Sequence, residues 1–247
     1  VGAKPPVAFF AYPDKPGVLT EDGTEFTELA DAAADIDAAL QALVDELGAG
    51  GATPVGIAAP ARPEVPDAPC APETIAAVLG ATIPEGAIVV DESVTTGRAF
   101  FPQTAGAPPH SWLNNRGGSI GYGLPVAVGA AVAAPDRKVI ALEGDGSAMY
   151  TVQALWTMAR EELDITVLVF ANRSYRILRG ELTNVGVLNP GPRAVDMLSL
   201  DRPDLGWVEM ARGMGVEGCR VEGARDLAAA MEAGLSSQGP YLIEIAL

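Results

Sequence analysis

Two apolar runs that each end on a polar residue constrain the fold of this 247-residue chain more than any other feature. They are KVIALEGDG, Lys138 to Gly146, and ITVLVFANR, Ile165 to Arg173, with the helical pattern AMYTVQALWTMAREE between them. Strands so continuously apolar are buried on both faces, which calls for a parallel sheet with helices on each side. One helix of about 14 residues rises roughly 21 Å, and a strand of about seven returns a similar distance. A right-handed crossover then brings Asp145 and Asn172, 27 residues apart, to the same carboxyl end of the sheet, where functional loops gather.

The alternation continues on both sides. AIVVDES and GYGLPVAVGAAVA precede these runs, and a helical stretch from Ala224 to Leu235 is followed by YLIEIAL. The expected fold is α/β, a doubly wound, mostly parallel sheet with helices on both faces. Upstream, prolines recur at 60, 63, 66 and 69 between Pro54 and Pro72 with little periodic apolar signal, which reads as an extended linker. Before it, Val7 to Tyr12 is strand-like, and Ile36, Leu40, Leu43, Val44 and Leu47 share one helical face that Gly48, Gly50 and Gly51 end. Residues 1–50 are too few for a comfortable core of their own. They are expected to be the end of a second α/β domain, with 51–72 a Pro-rich linker and 73–247 the doubly wound domain. The abrupt apolar start suggests a piece of something longer.

Charge narrows the partners. Asp and Glu total 32 against 16 Lys and Arg, a net −16 spread along the chain with no basic stripe to neutralise phosphates, so neither nucleic acid nor an anionic membrane is an expected partner. Cys70 and Cys219 have neither metal-ligand spacing nor a surrounding His cluster. With no disulfide framework indicated a cytoplasmic setting is expected, and the most apolar run, Gly123 to Ala134, is too short to span a bilayer.

At the carboxyl end of the sheet, Asp145 and Asn172 offer hard oxygen ligands with one negative charge, which suits Mg²⁺ when phosphate oxygens, a backbone carbonyl and water complete the shell. Gly144 and Gly146 leave room for a phosphate near the backbone, and Ser147 opens the next helix with its amides toward that anion. The tetrapeptide GDGS alone is equally what a tight strand-to-helix turn uses. The spacing to Asn172 and the strand before each polar residue favour the metal-clamped diphosphate.

GDGS followed by the Asn of FANRS resembles the cofactor motif of thiamine diphosphate enzymes, and NNRGGSIGYGLPVAVGAAVAAPDRKVIALEGDGSAMYTVQALWTMA is similar to benzoylformate decarboxylase and the acetolactate synthase large subunit. The resemblance covers 73–247, the family's diphosphate-binding domain, and extends to 1–50 as the end of its central domain. It departs at Ala171, in place of the first of two Asn, and at Arg173, in place of a usual Gly. It implies thiamine diphosphate and Mg²⁺ as cofactors, with Asp145, Asn172 and the Ser174 carbonyl on the metal. DESVTTG resembles the loop that grips the far phosphate, with Thr95 and the Val94 backbone as contacts. In GGSIG, the Gly118 carbonyl would meet the 4′-amino group of the aminopyrimidine, and Ile120 would hold the cofactor bent. Tyr175, Ile177 and Glu181 follow the metal loop and are candidates to line the substrate pocket, Tyr175 also to contact the cofactor, while Ile177 and Leu178 equally suit the core of a helix.

The implied activity is that of a 2-oxo acid enzyme, either acetolactate synthase-like carboligation or benzoylformate decarboxylase-like decarboxylation. The pyrimidine-binding domain of a neighbouring subunit would complete the site in a homodimer or homotetramer, and an FAD in the central domain stays open. An alternative of another class is a non-catalytic module that needs a partner bearing that domain. A dinucleotide-binding oxidoreductase is set aside, because no GxGxxG occupies the first strand-to-helix turn. His110, the sole histidine, lies in the PPHSW loop and reads as solvated, although its place in sequence also allows the substrate side.

Overall fold

The computed structural model describes all residues except Val1, Gly2, Phe9 and Ala11. Two compact units emerge, one of Val1–Ile57 with Glu181–Asn189 and one of Ala58–Gly180 with Pro190–Leu247.

In the first unit the expected helix forms as α1, Ile36–Glu46, and the Asp35 carboxylate caps it by accepting the Ala38 N–H at 2.9 Å. Its apolar residues Leu40 and Leu43 are exposed. The expected strand from Val7 to Tyr12 falls partly outside the described residues. Among the described ones, Val7 makes a single antiparallel bridge to Val18. The Tyr12 hydroxyl donates to Glu181 at 2.5 Å.

The second unit is built on one six-stranded sheet. In chain order its elements are α2 (Pro72–Thr82), β1 (Ile88–Glu92), α3 (Phe100–Gln103), β2 (Ser111–Asn114), α4 (Gly123–Ala133), β3 (Val139–Gly144), α5 (Asp145–Ala148), α6 (Ala154–Arg160), β4 (Ile165–Ala171), α7 (Arg176–Asn184, which runs on into the first unit), α8 (Pro192–Met197), α9 (Trp207–Gly213), β5 (Glu217–Val221), α10 (Ala224–Ser236) and β6 (Tyr241–Ala246). The strand order is β2-β1-β3-β4-β6-β5, and every pairing is parallel.

Pleating explains why β3 and β4 are apolar throughout. Ile140, Leu142, Leu168 and Phe170 point to one face, where residues of α2 and α10 cover them, and Phe170 meets Phe100 at 5.3 Å between ring centroids. Val139, Ala141, Val167 and Val169 point to the other face, under α4, α6 and α9. Each fully buried large side chain contributes about 1.5–3 kcal/mol, so a doubly covered strand has no polar register to slip into.

The crossover from Asp145 to β4 differs from the expected single helix. It is split into α5, of four residues, and α6, of seven. Between them the Tyr150 and Thr151 N–H groups bond three residues back, to Ser147 and Ala148, and the Thr151 hydroxyl donates to the Gly121 carbonyl at 2.8 Å. That tertiary bond holds the chain in a tighter turn than a continuous helix allows.

Residues 58–71 carry no helix or strand of their own but are tied to the sheet unit: Cys70 N–H donates to Glu222 O, Ala224 N–H to Ala68 O, and the Arg62 guanidinium to the carbonyls of Ala81 and Ile83. Both cysteines are free, Cys70 buried and Cys219 partly so. Burial, with Asp226 and Glu222 nearby, pushes the Cys70 thiol up to about 11. At about pH 8 an aromatic disulfide reagent should therefore titrate no more than one thiol, Cys219, in the folded protein. The second should appear only on addition of denaturant; two fast thiols would contradict this packing.

Candidate active site

From β1 the chain turns to β2 on one side and later returns to β3 on the other, so the crevice between β1 and β3 is the point where strand order reverses. Ligand sites of open α/β sheets form outside the carboxyl ends of the strands at such a point. Here the loops after β1, β3 and β4 carry Val94 and Thr95, Asp145, and Asn172 respectively.

The structure joins the last two. The Asp145 carboxyl is 2% exposed. One oxygen accepts the Gly146 N–H at 2.9 Å, and the other accepts the Arg173 N–H, from the loop after β4, at 2.6 Å. Burial pushes this carboxyl up to about 6, opposed by those N–H bonds and the Arg173 charge. The side-chain oxygen of Asn172 is buried with no hydrogen-bond partner among the described residues. Such an orphaned acceptor costs about 1–3 kcal/mol, and a hard cation placed beside a carboxylate would satisfy it. The Ser174 carbonyl accepts the Arg176 N–H at 2.8 Å and keeps its second lone pair. Tyr175 N–H donates to Leu198 O and Leu200 N–H to Arg173 O, so this loop is held as a short extended ribbon. Among the described residues no three His, Cys, Asp or Glu converge as a metal cluster, so a metal here would draw on carboxamide and carbonyl oxygens. The donor set fits Mg²⁺.

Arg173 has φ +56. A side chain is strained in this left-handed region and glycine is not, which is the physical reason for a glycine there. Comparing two truncations isolates the effect: Arg173→Gly should be more stable than Arg173→Ala by about 1 kcal/mol in chemical denaturation. The usual ranking, with alanine ahead, would refute the strain.

The loop after β1 begins at Ser93, since Asp91 and Glu92 belong to the strand. Asp91 accepts from the Ser93 N–H and hydroxyl and from the Trp112 indole. Val94 is exposed with φ +51, a rare conformation for a β-branched residue. Backbone strain of this kind points to a function that the neighbouring residues stabilise. Gly118 has φ +68, and Ile120 is 48% exposed.

Three expected details change. Gly146 makes room for Tyr175, whose ring carbons lie 2.7 and 2.8 Å from where a Cβ would sit. Ser147 is buried and its hydroxyl donates to Gly144 O at 3.0 Å, bracing the turn. The helix it sits in has only four residues and carries little dipole. His110 immediately precedes β2, at the amino end of a parallel strand and so at the opposite end of the sheet from Asp145. Its ring nitrogen lies 2.7 Å from Pro108 O and the ring is tilted against Trp112 at 5.9 Å between centroids. Glu181 is engaged with Tyr12 and Asn184 in the first unit, and Ile177 is half-buried on α7.

Sequence reasoning missed a pair of acids beneath the site. Glu92 and Glu143 are register partners on β1 and β3, both buried. Glu92 accepts the N–H groups of Gly121 and Gly123, each at 2.7 Å. Among the described residues neither oxygen of Glu143 has a hydrogen-bond partner. Complete burial, with Glu92 and Asp91 close by, drives its carboxyl well above the usual range. The only available signal was a glutamate in the last two residues of each strand.

The comparisons with known proteins show the family. The family model for the thiamine pyrophosphate enzyme C-terminal TPP-binding domain matches residues 96–245. The chain belongs to that family. A Mycobacterium tuberculosis protein bearing an acetolactate synthase large-subunit name is 49% identical over 99% of this chain and 47% of its own length. Benzoylformate decarboxylase of Pseudomonas aeruginosa is 36% identical over 85% of this chain and 39% of its own. Among solved structures, a thiamine diphosphate-dependent 4-hydroxybenzoylformate decarboxylase of Rhodococcus jostii superposes with a TM-score of 0.69 at 30% identity, covering 84% of this chain and 38% of that one. The chain thus spans about half or less of the length of these relatives. No helix among the described residues is long and apolar enough to cross a membrane.

Proposed function

We propose that this chain supplies the diphosphate- and Mg²⁺-binding half of the active site in an enzyme that acts on 2-oxo acids, by acetolactate synthase-like carboligation or benzoylformate decarboxylase-like decarboxylation. The observation that carries this is the buried, unpartnered Asn172 oxygen at the end of β4, tied through the Arg173 N–H to the Asp145 carboxylate at the end of β3. Asp145, Asn172 and the Ser174 carbonyl would hold the metal. The Val94 backbone and Thr95 would hold the far phosphate, and the backbone around Gly144, Gly146 and Ser147 would face the near one. Gly118 would offer its carbonyl to the aminopyrimidine, Ile120 would pack against the rings, and Tyr175, over Gly146, would border the diphosphate. When bound, thiamine diphosphate supplies the electron sink that decarboxylation of a 2-oxo acid requires.

Residues 1–50 are read as the end of a central domain, 51–72 as the linker and 73–247 as the cofactor domain. The pyrimidine-binding domain of a neighbouring subunit would complete the site, in a homodimer or homotetramer in the cytoplasm. Whether the central domain also carries FAD is a property of residues outside this chain. The test is product identification: the full-length protein is given thiamine diphosphate, Mg²⁺ and either pyruvate or benzoylformate. Acetolactate or benzaldehyde is expected, whereas no turnover of any 2-oxo acid, even after mixing with a separately expressed pyrimidine domain, would overturn the enzymatic reading in favour of a binding module.

A further inference from the structure

The segment from Gly117 to Gly123 carries Gly118 and Ile120, yet nothing in its own composition fixes it. Gly117, Gly118 and Gly121 have φ of +72, +68 and +85, and glycine-rich chain has the most conformational freedom to lose. Ile120 is half exposed, so core packing does not hold it. Its outer half is closed on itself: the Asn115 side chain accepts the Ser119 N–H at 3.0 Å and donates to Ser119 O at 3.2 Å. That turn still has to be anchored to the sheet.

The anchor is Glu92. Its two oxygens take the N–H groups of Gly121 and Gly123, one each, at 2.7 Å, across 29 and 31 residues of chain. Between those glycines the Tyr122 hydroxyl donates to Asp91 O at 2.6 Å, so three consecutive residues are fixed to the last two of β1. Local helix caps come from the residue next to the helix; this one comes from another strand. Charged acceptors make hydrogen bonds roughly twice as strong as neutral ones, and Glu92 is 2% exposed, away from competing water. Its register partner on β3 lies two residues before Asp145. Loop and metal ligand are therefore both referenced to adjacent positions on one rigid sheet.

We propose that Glu92 is the positioning residue of the cofactor loop, setting where Gly118 and Ile120 stand relative to Asp145 and thereby the affinity for the ring portion of thiamine diphosphate. This rests on the reading of Gly118 and Ile120 given above. Glu92→Gln keeps the shape but turns an NH₂ toward a backbone N–H, so one of the two bonds is lost.

The chain, in wild-type, Glu92→Gln and Ile120→Ala forms, is titrated calorimetrically with Mg²⁺ and either thiamine diphosphate or inorganic pyrophosphate. The probes share the diphosphate, and only the first has rings. Wild type should prefer thiamine diphosphate, and Glu92→Gln should weaken that ligand roughly tenfold while leaving pyrophosphate unchanged, the same pattern as Ile120→Ala. A purely structural role would weaken both probes together, and that result, or an unaltered preference in Glu92→Gln, would overturn the positioning role. Absence of any preference in wild type would instead sink the ring-contact reading of Gly118 and Ile120. If Glu92→Gln does not fold, Glu92→Asp, which keeps the charge and shortens its reach, is read by the same ratio.

Discussion

Asp145→Ala should lower the Mg²⁺-dependent affinity for thiamine diphosphate by a hundredfold or more, given that even outer-shell partners of a metal are worth about 10–100-fold. Asn172→Ala should do nearly the same, and the two variants should part company in stability. Asp145 accepts two backbone N–H groups, so its removal strands both donors and should cost about 1–3 kcal/mol. Asn172 offers an oxygen that nothing satisfies, so its removal deletes a buried penalty and should leave the metal-free chain as stable or slightly more so. A side chain that weakens the fold and is needed only when ligand is present is a common sign of function stabilised at the expense of the free protein. The checks are calorimetric titration with and without Mg²⁺ and denaturation in chelator. Unchanged affinity in both variants would place the metal elsewhere, and a clear loss of stability in Asn172→Ala would mean that its oxygen has a partner in solution.

The parts legible from sequence were those whose burial is uniform. β3 and β4 lie in the middle of the sheet with both faces covered, so their apolar runs needed no tertiary knowledge to be read, and the polar residues ending them marked the site. The edge strands were opaque for the opposite reason. SWLN in β2 is half-exposed and four residues long, and EGCRV in β5 buries only Gly218 and Val221, so neither shows alternation or a run. α2 hid behind the prolines: Pro72 sits at its first position, where proline is favoured, and Thr74 accepts the Ala71 N–H at 2.8 Å. The break between α5 and α6 depends on a bond from Thr151 to Gly121, 30 residues away. The end of the sheet on which His110 lies is fixed only once β2 is known to pair with β1. The Glu92 and Glu143 pair follows from β1–β3 register, which no single strand reveals.

That pair also makes Gly123 a glycine whose replacement should be felt at the site. A Cβ there would lie 2.0 Å from one oxygen of Glu143 and 3.0 Å from the other. Were Glu143 on the surface its carboxyl would swing aside, but it is 0% exposed and sits beside its register partner Glu92. Overpacking of this kind costs about 1–3 kcal/mol. Because Gly123 opens α4, alanine would otherwise be favoured over glycine there by up to about 1 kcal/mol. Gly123→Ala should therefore destabilise the wild-type chain and, in a Glu143→Ala background, become neutral or stabilising. The coupling measured by the double-mutant cycle should exceed about 1 kcal/mol, within the range for residues in contact. Equal costs in the two backgrounds would mean that the Glu143 carboxyl does not occupy this space. A reversed sign would tie the buried acid directly to the backbone that Glu92 holds, and so link the floor of the site to the loop above it.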